Sequence, residues 1–286
     1  MITDKLVFDD SINMTNVDDY TAVIYDIKYK DKYKKESETK ILDTEMRYVR
    51  IAYDFDRTKL MGSFKLTTTE RMMPMPYISG PSDEERDVIF IVGSSGCGKS
   101  YFTNFQAKLY KFLTGNKIFY LTTNNVEKDR SLDKNLYVFL DVYDFLDYFS
   151  DPDKLKEFTA NSPEFDNSLI IFDDIDAIEG KNNQKVLYSV LNVFLTNKRK
   201  NNISIIFISH QGSDYRKTSL IIKEMNKYVV YPSSQTAKAD IVLNDKLKLT
   251  TAQIKRIVDE DYKNSKFVSI DIKRRLITTA NTSYFL

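Results

Sequence analysis

The residues with the clearest chemistry lie in RDVIFIVGSSGCGKS, residues 86–100. Within this stretch, Gly93, Gly98, Lys99 and Ser100 stand at the G-x-x-x-x-G-K-[ST] spacing of a phosphate-binding loop. Glycines let consecutive backbone N–H groups turn toward phosphate oxygens, and the N-terminus of a following helix favours the same anion. The motif follows an apolar run and precedes a helical pattern, which is the context that such a loop requires. The sequence therefore predicts a nucleotide-binding site.

This loop suggests a role for each of its residues. Lys99 can reach the β and γ phosphates of ATP, and the Ser100 hydroxyl can ligate Mg²⁺. The predicted cofactor-binding residues are the loop and the residue after it: Gly93, Ser94, Ser95, Gly96, Cys97, Gly98, Lys99, Ser100 and Tyr101. Cys97 has two interpretations: a small residue that the loop tolerates, or a thiol whose pKa is lowered by backbone donors and Lys99.

The stretch SLIIFDDID, residues 168–176, has the pattern of a buried strand that ends in two adjacent carboxylates, Asp173 and Asp174. Asp173 is predicted to hold Mg²⁺ opposite Ser100, between the β and γ phosphates. Asp174 is predicted to orient the attacking water, because hydrolysis needs a polar group to position that nucleophile. Asp176 is expected to be exposed.

The next predicted strand, in NISIIFISHQ at residues 202–211, ends in two more polar residues. The Gln211 amide both donates and accepts hydrogen bonds, so it is a candidate for sensing the γ phosphate or positioning water. His210 is the single histidine of the chain. We expect it to be a structural or surface residue.

An alternation of strands and helices positions these residues. Strands are predicted at 88–92, 117–122, 136–140, 168–173, 203–209 and 228–231, and helices at 100–113, 142–149, 153–159, 183–198 and 218–227. This order predicts an α/β fold with a doubly wound, mostly parallel sheet. An amphipathic helix at 250–261 and a β-hairpin at 266–272 and 275–279 are predicted to follow.

Residues 1–85 have a different pattern, without helical periodicity. Strands are predicted at 20–29, 46–53 and 62–69, a lysine-rich hairpin loop at 28–40, and a proline- and glycine-containing linker at 72–85. The sequence thus predicts a small N-terminal β-rich region with its linker over residues 1–85, and a nucleotide-binding domain over residues 86–286.

Composition excludes several classes of protein. The chain has 286 residues, of which 42% are apolar and 29% charged, as in a globular protein with one large core, or with one core and a small appendage. No apolar run approaches the roughly 20 residues of a membrane span, and no signal peptide is visible, so we expect an intracellular protein. One cysteine and one histidine exclude disulfide frameworks and Cys/His zinc sites. A net charge of +1 leaves DNA binding to local basic clusters, at 28–35 or 198–200, which are also compatible with solvated surface.

The order of the motifs GSSGCGKS, LIIFDDID, KRKNNISIIFISHQ and YVVYP resembles that of the FtsK/HerA branch of P-loop ATPases, which are of the ASCE type. Within this branch the chain is similar to the genome-packaging ATPases of large double-stranded DNA viruses, over roughly residues 86–231. The resemblance implies an ATP- and Mg²⁺-dependent motor that moves double-stranded DNA into a capsid. It also implies a homo-oligomeric ring of five or six subunits, a capsid or portal partner, and a location in a host cytoplasmic viral factory or the virion.

The resemblance also implies roles for particular residues. It places Asp173 and Asp174 in the acid pair, Gln211 at the end of the next strand, and Arg199 in the basic pair before that strand. Arg199 would then act on the γ phosphate of a neighbouring subunit, whereas residues 198–200 could equally be a solvated helix end. Lys223 stands where that branch often has an arginine. The predicted catalytic residues are Lys99, Asp174, Gln211 and Arg199.

Two other functions use the same loop. A nucleotide or small-molecule kinase would need an arginine-rich lid that excludes water from the transferred group, and no such cluster follows the loop. A nucleotide-gated assembly scaffold would bind ATP without turnover, against which the presence of Asp174 argues. ATPase activity measured with and without DNA distinguishes the three.

Overall fold

The computed structural model describes the chain in two parts. It describes residues 6–9, 20–28, 43–51, 64–65 and 72–76 as strands, and residues 86–285 with gaps at 124–131, 161–162, 197–200, 211–214, 232–242, 245, 247, 258–264, 274–275 and 280–281. No helix in these ranges is long and apolar enough to cross a membrane.

The strands, numbered along the chain, are β1 (Leu6–Asp9), β2 (Tyr20–Lys28), β3 (Asp43–Ile51), β4 (Phe64–Lys65), β5 (Met72–Pro76), β6 (Val88–Val92), β7 (Ile118–Thr122), β8 (Val138–Asp141), β9 (Leu169–Asp173), β10 (Ser204–Ser209), β11 (Lys227–Val230), β12 (Val268–Asp271), β13 (Leu276–Thr279) and β14 (Thr282–Phe285). The helices are α1 (Lys99–Thr114), α2 (Val142–Ser150), α3 (Pro152–Ala160), α4 (Lys181–Thr196), α5 (Tyr215–Glu224) and α6 (Thr251–Arg256). Short 3₁₀ helices lie at Pro163–Phe165 and Ile175–Ala177.

A ten-stranded sheet in the order β4-β14-β13-β12-β11-β6-β10-β9-β7-β8 forms the centre of the molecule. The run from β11 to β8 is parallel, and β12, β13, β14 and β4 extend it by antiparallel pairing. The prediction of a mostly parallel α/β sheet is therefore confirmed. The predicted hairpin corresponds to β12 and β13, and β14 is a further strand.

The parallel strands are buried on both faces because their residues are almost all branched or aromatic apolar ones. Phe90 of β6 and Phe172 of β9 face α2, α3, α4 and α5, whereas Ile91 and Ile171 face α1 on the other side. Successive side chains of a strand point to opposite faces, so one continuous apolar strand supplies both halves of the core. This arrangement leaves only the strand ends for chemistry.

The N-terminal strands form a separate antiparallel sheet in the order β1-β3-β2-β5, while β4 pairs with β14 at the edge of the large sheet. The interpretation of residues 72–85 as linker is wrong for Met72–Pro76, which is strand β5. Its two prolines are tolerated because β5 is at the edge of the four-stranded sheet, where one of its sides pairs with no other strand among the described residues of this sheet. The hairpin loop predicted at 28–40 lies, except for its first residue, outside the described residues, and the domain boundary at residue 85 stays a prediction.

One helix ends earlier than the sequence pattern indicates. The predicted helix 218–227 ends at Glu224, and Lys227 is the first residue of β11. The reason is tertiary, since the Lys227 ammonium forms an ion pair with Asp87 at 2.8 Å, with both side chains almost fully buried beside β6. The C-terminal helix is also shorter than predicted, because α6 covers Thr251–Arg256.

The amino end of the central strands is held by a polar network around this ion pair. The Asn226 side chain accepts a hydrogen bond from Val88 N at 2.8 Å and donates one to Arg86 O at 2.9 Å. The Arg86 guanidinium in turn donates to the carbonyls of Phe194 and Leu195 in the last turn of α4. These bonds join the first residues of β6 to α4.

Replacing Lys227 by Met should lower the free energy of unfolding by about 3–5 kcal/mol, because it leaves the Asp87 carboxylate buried without its charged partner. Denaturation in urea measures the loss. The matched control is Lys154→Met, which breaks an exposed pair with Glu157 at 3.7 Å and should cost under about 1 kcal/mol. Equal losses in the two variants would contradict this account of the buried pair.

Candidate active site

The phosphate-binding loop connects the carboxyl end of β6 to α1, as the motif predicts. Gly98 has φ +110°, a conformation that favours glycine, and it caps the N-terminus of α1. A Cβ atom on Gly93 would lie 2.6 Å from Cys97 Sγ and 2.9 Å from Tyr231 Cβ, so only glycine fits there without a shift. The loop is therefore closely packed, and its two motif glycines have distinct structural reasons.

Tyr231, which follows β11, contacts the loop and supports it. It was not predicted as a site residue. Its hydroxyl donates to Gly98 O at 3.0 Å, and its backbone N–H donates to Val92 O at 3.0 Å. Burial raises the pKa of the Tyr231 phenol far above its ordinary value, so the hydroxyl remains a neutral donor. Only its position at the end of YVVYP, next to the last core strand, hinted at this contact.

Lys99 is buried, and its ammonium lies over the loop rather than in solvent. It donates to Gly93 O at 2.8 Å and to Ser94 O at 3.0 Å. It also lies 3.1 Å from His210 Nδ1. Because an ammonium only donates, His210 Nδ1 is the acceptor and the proton of a neutral ring is on Nε2.

The other ring nitrogen of His210 contacts the acid pair. His210 Nε2 lies 2.8 Å from Asp174 Oδ1, and the Asp174 side chain is 17% exposed. Asp174 is held in a left-handed conformation (φ +53°) directly after β9, and its N–H donates to Ile208 O at 3.2 Å. Lys99, His210 and Asp174 thus form one continuous series of contacts from the loop to the acid pair.

The structural or surface role expected for His210 did not include a contact with the predicted catalytic residues. The residue is half-buried, and it links two of the predicted catalytic residues. The reason is the strand order: β10 lies between β6 and β9, so the residue after β10 lies between the phosphate loop and the acids. The single histidine at the end of a predicted core strand was the signal that could have identified it.

Asp173 is the last residue of β9 and is 6% exposed. Its carboxylate accepts a hydrogen bond from the Tyr120 hydroxyl of β7 at 2.8 Å. Ser100 lies in the first turn of α1, on the loop that follows β6. Asp173 pairs in register with Ile208 and Val92 with Ser209, so the strand ends that carry these residues meet at one edge of the sheet.

Several predicted site residues are elsewhere or lie outside the described ranges. Gln211 and Arg199 are outside the described residues, as is the side chain of Asp176. Tyr101 is half-buried and packs edge-to-face on Phe105 within α1. Lys223 is exposed in the last turn of α5.

Cys97 does not have the lowered pKa that one interpretation allowed. Burial raises the pKa of its thiol above the ordinary value of 9.0, and the charge of Lys99 opposes this shift only in part. At neutral pH the side chain is therefore a thiol that packs against Gly93.

The residues of this edge fit a nucleotide with Mg²⁺. Gly98 opens α1 with its N-terminal N–H groups at the loop, and Lys99 supplies the positive charge that a triphosphate requires. In the described part of the chain, no cluster of three His, Cys, Asp or Glu side chains could hold a metal alone. The Ser100 hydroxyl and the Asp173 carboxylate are oxygen ligands of the kind that Mg²⁺ binds.

A buried parallel sheet, a glycine-lysine-serine loop and an acid pair two strands away define a P-loop NTPase. Residues 89–232, half of the chain, match the family described as "ATPase family associated with various cellular activities (AAA)". The chain belongs to this family, and it is an enzyme that binds and hydrolyses ATP.

Comparisons with individual proteins give the following similarities. The chain is 27% identical over 186 residues to "Uncharacterized protein V3" of Sputnik virophage. The aligned region covers 64% of this chain and 71% of that protein. The genome packaging NTPase B204 of Sulfolobus turreted icosahedral virus 2, solved with AMPPCP, is 15% identical, with a TM-score of 0.45 over 70% of this chain and 98% of that one. The pCW3 conjugation coupling protein TcpA with ATPγS is 10% identical, with a TM-score of 0.39 over 84% and 72% of the two chains.

Alkylation of Cys97 by iodoacetamide at pH 8 should be slower than that of free cysteine, because a raised pKa leaves less thiolate at any given pH. Its rate should rise with pH to beyond pH 9. Bound ATP should slow the reaction further, since the thiol belongs to the phosphate loop. Mass spectrometry follows the single cysteine, and Lys99→Ala, in which ATP should not protect, is the control. A rate equal to that of free cysteine, or no effect of ATP, would contradict the prediction.

Proposed function

We propose that this ATPase is a motor that moves double-stranded DNA, and that it packages a viral genome into a capsid. The observation that carries the proposal is the arrangement of β6, β10 and β9 at the centre of the sheet. It brings the motifs GSSGCGKS and FDD and the residues Ser209 and His210 to one edge, and the order of these motifs along the chain resembles that of FtsK/HerA ATPases. The related protein of a virophage supports a viral setting.

The described residues have different roles in the hydrolysis of ATP. The N–H groups of the loop and Lys99 bind and neutralise the phosphates. Ser100 and Asp173 would hold Mg²⁺, which when bound stabilises charge on the β and γ phosphates. Asp174 orients the attacking water, and His210 holds the Asp174 carboxylate by the contact at 2.8 Å. Gln211, one residue further, keeps its predicted role at the γ phosphate.

Lys99 gives the site a means of responding to nucleotide. Its ammonium contacts Gly93 O, Ser94 O and His210 Nδ1. A triphosphate is a stronger partner for an ammonium than two carbonyls and a neutral imidazole, so nucleotide binding competes for this donor. When the Lys99 ammonium leaves His210 Nδ1 for the phosphates, the contact of His210 with Asp174 remains. We propose that this exchange signals nucleotide binding to the acid pair.

The experiment that tests the function measures ATP turnover of the purified protein with and without linear duplex DNA. We expect duplex DNA to raise turnover, and an ATP-dependent displacement of a third strand from a triplex to report translocation. Lys99→Ala should lose both activities, because it removes the charge that neutralises the phosphates. Turnover that DNA does not change, without strand displacement, would overturn the proposal. Transfer of phosphate to a small acceptor would indicate a kinase, and binding without turnover a scaffold.

Replacing Asp174 by Asn should slow ATP hydrolysis by about 10²-fold or more while Mg·ATP still binds, because an amide cannot accept the proton of the attacking water. Single-turnover hydrolysis and nucleotide binding are measured separately. Asp173→Asn is the comparison variant. It should instead weaken the binding of Mg²⁺, so that activity requires a higher Mg²⁺ concentration. Normal turnover in Asp174→Asn would transfer the water-positioning role to another residue, with Gln211 the next candidate.

Replacing His210 by Ala should lower kcat by about 10-fold or more with a smaller change in KM, because it removes a positioning contact rather than a phosphate contact. His210→Gln retains an amide donor and should recover part of the rate. A purely structural role would instead lower the free energy of unfolding, with kcat unchanged for the folded fraction. Steady-state kinetics and urea denaturation of both variants distinguish these results.

We further propose that Arg199 acts on the nucleotide of a neighbouring subunit in a homo-oligomeric ring. The flanking residues support this role. α4 ends at Thr196 near Arg86, at the amino end of the sheet, and the Asn201 side chain donates to Asp166 before β9. The six residues of β10 span about 20 Å between this end and the phosphate edge of the same subunit. A site of the neighbouring subunit is therefore the better target.

Mixing Arg199→Ala subunits with Lys99→Ala subunits should restore ATPase activity that neither variant has alone. In the mixed ring an intact loop of the first variant faces the arginine of the second, and such an arginine contributes about 10³-fold or more. Turnover is measured against mixing ratio, with each variant alone as control. No recovery in rings of normal mass, or full activity of Arg199→Ala alone, would contradict the role in trans.

A further inference from the structure

Helix α4 has one apolar face and one polar face. Its buried residues pack into the core under the sheet: Leu187, Val190, Leu191, Val193, Phe194 and Leu195. The opposite side lines an open groove of about 550 Å³, formed by Lys181, Gln184, Lys185, Tyr188, Ser189 and Asn192. These positions recur every three or four residues, so they form one stripe along the helix. We call this surface the α4 groove.

The α4 groove is made of hydrogen-bond donors and contains no carboxylate. Each of its side chains is an ammonium, an amide or a hydroxyl. The Gln184 amide donates to Ile178 O and the Ser189 hydroxyl to Lys185 O, so the two ammonium groups are the main donors to a ligand. In the sequence no Asp or Glu stands between Glu179 and Asp214. Lys181 and Lys185 are both exposed, and no carboxylate in the described part of the chain forms an ion pair with either.

This composition differs from that of the neighbouring helices. On α3 the ammonium of Lys154 is paired with Glu157 at 3.7 Å, and on α1 that of Lys108 is paired with Asp133 at 3.4 Å. Helix α2, which packs against α4, exposes Asp144 and Asp147. The α4 groove is therefore a positive, donor-rich stripe next to an acidic helix.

Lysine, amide, hydroxyl and tyrosine side chains are the groups that contact the phosphate backbone of DNA. The residues of the α4 groove, from Lys181 to Asn192, extend about 17 Å along the helix, which corresponds to about five base-pair steps of a duplex at 3.4 Å of axis per step. We propose that the α4 groove binds the phosphate backbone of duplex DNA. The inference rests on the proposed function, and it assigns the surface through which the motor holds its substrate. The carboxylates of α2 confine the duplex to the other side of α4.

The position of α4 connects this surface to the active site. Its first turn follows Asp174 through residues 175–180, and the Gln184 side chain donates to Ile178 O at 3.0 Å. Its last turn is bound by Arg86, which leads directly into β6 and the phosphate loop. Both ends of α4 are thus bonded to segments that lead to catalytic residues: the segment after Asp174 and the start of β6. A displacement of α4 by bound DNA therefore moves both segments.

The test compares two double variants that remove the same charge from adjacent helices. Lys181→Gln/Lys185→Gln changes the α4 groove, and Lys154→Gln/Lys156→Gln changes exposed lysines of α3. Fluorescence anisotropy of a short labelled duplex measures affinity at several salt concentrations. For the α4 variant we expect about ten-fold or greater loss of affinity near 0.1 M salt, and a slope of log K against log salt smaller by about 1.8, the value for two phosphate contacts. The α3 variant should bind as the unchanged protein does.

The possible results separate this inference from the proposed function. If the unchanged protein binds duplex DNA and both variants bind equally well, or lose affinity equally, the α4 groove is not the site and only this inference fails. If the unchanged protein binds no duplex DNA, both fail. Analytical ultracentrifugation of each variant adds a further readout. A loss of DNA affinity that accompanies a smaller oligomer would assign the α4 groove to a contact with the acidic α2 of another copy, and would overturn the proposal.

Discussion

The placement of β6 between β10 and β11 is the constraint on which the rest of the structure depends. β6 is hydrogen-bonded in parallel to both neighbours, and all five of its residues are buried. A buried strand with apolar residues on both faces cannot move without breaking two ladders and unpacking both halves of the core. The loop that follows β6 therefore begins at a fixed position. Its glycines have only to adopt the backbone conformation of the loop.

From this constraint follows the contact between loop and acids. With β10 between β6 and β9, a side chain after β10 can touch both the loop that follows β6 and the turn that follows β9. His210 does so, at 3.1 Å from Lys99 Nζ and 2.8 Å from Asp174 Oδ1. An imidazole can accept at one nitrogen and donate at the other, which suits a position between a donor-only ammonium and an acceptor-only carboxylate. The effects of changing these three residues should accordingly not be additive.

The two ends of the sheet have different chemistry. The carboxyl end brings together Lys99, Asp173 and Asp174, whereas the amino end is held by the buried pair of Asp87 and Lys227. A buried ion pair contributes little net stability, but it is costly to break. The pair therefore holds the start of β6 and the start of β11 in one register. Helix α4 runs between the two ends and is bonded at each, which makes it the element best placed to relate events at one end to the other.

The sequence by itself determined the parts of this protein whose structure is local or periodic. The phosphate loop, the buried strands and the helix after the loop were predicted because backbone geometry and apolar spacing are written in consecutive residues. The resemblance to P-loop ATPases rested on the same motifs, and the match to the AAA ATPase family agrees with it.

Only the tertiary structure decided what depends on contacts between residues far apart in the chain. The position of His210 follows from the strand order, the support of the loop by Tyr231 from the pairing of β11 with β6, and the helix end at Glu224 from the ion pair of Lys227 with Asp87. The raised pKa of Cys97 likewise follows from burial, which outweighs the nearby charge of Lys99. In each case a local pattern allowed several environments, and packing with a distant element selected one, because desolvation and hydrogen bonding depend on neighbours in space.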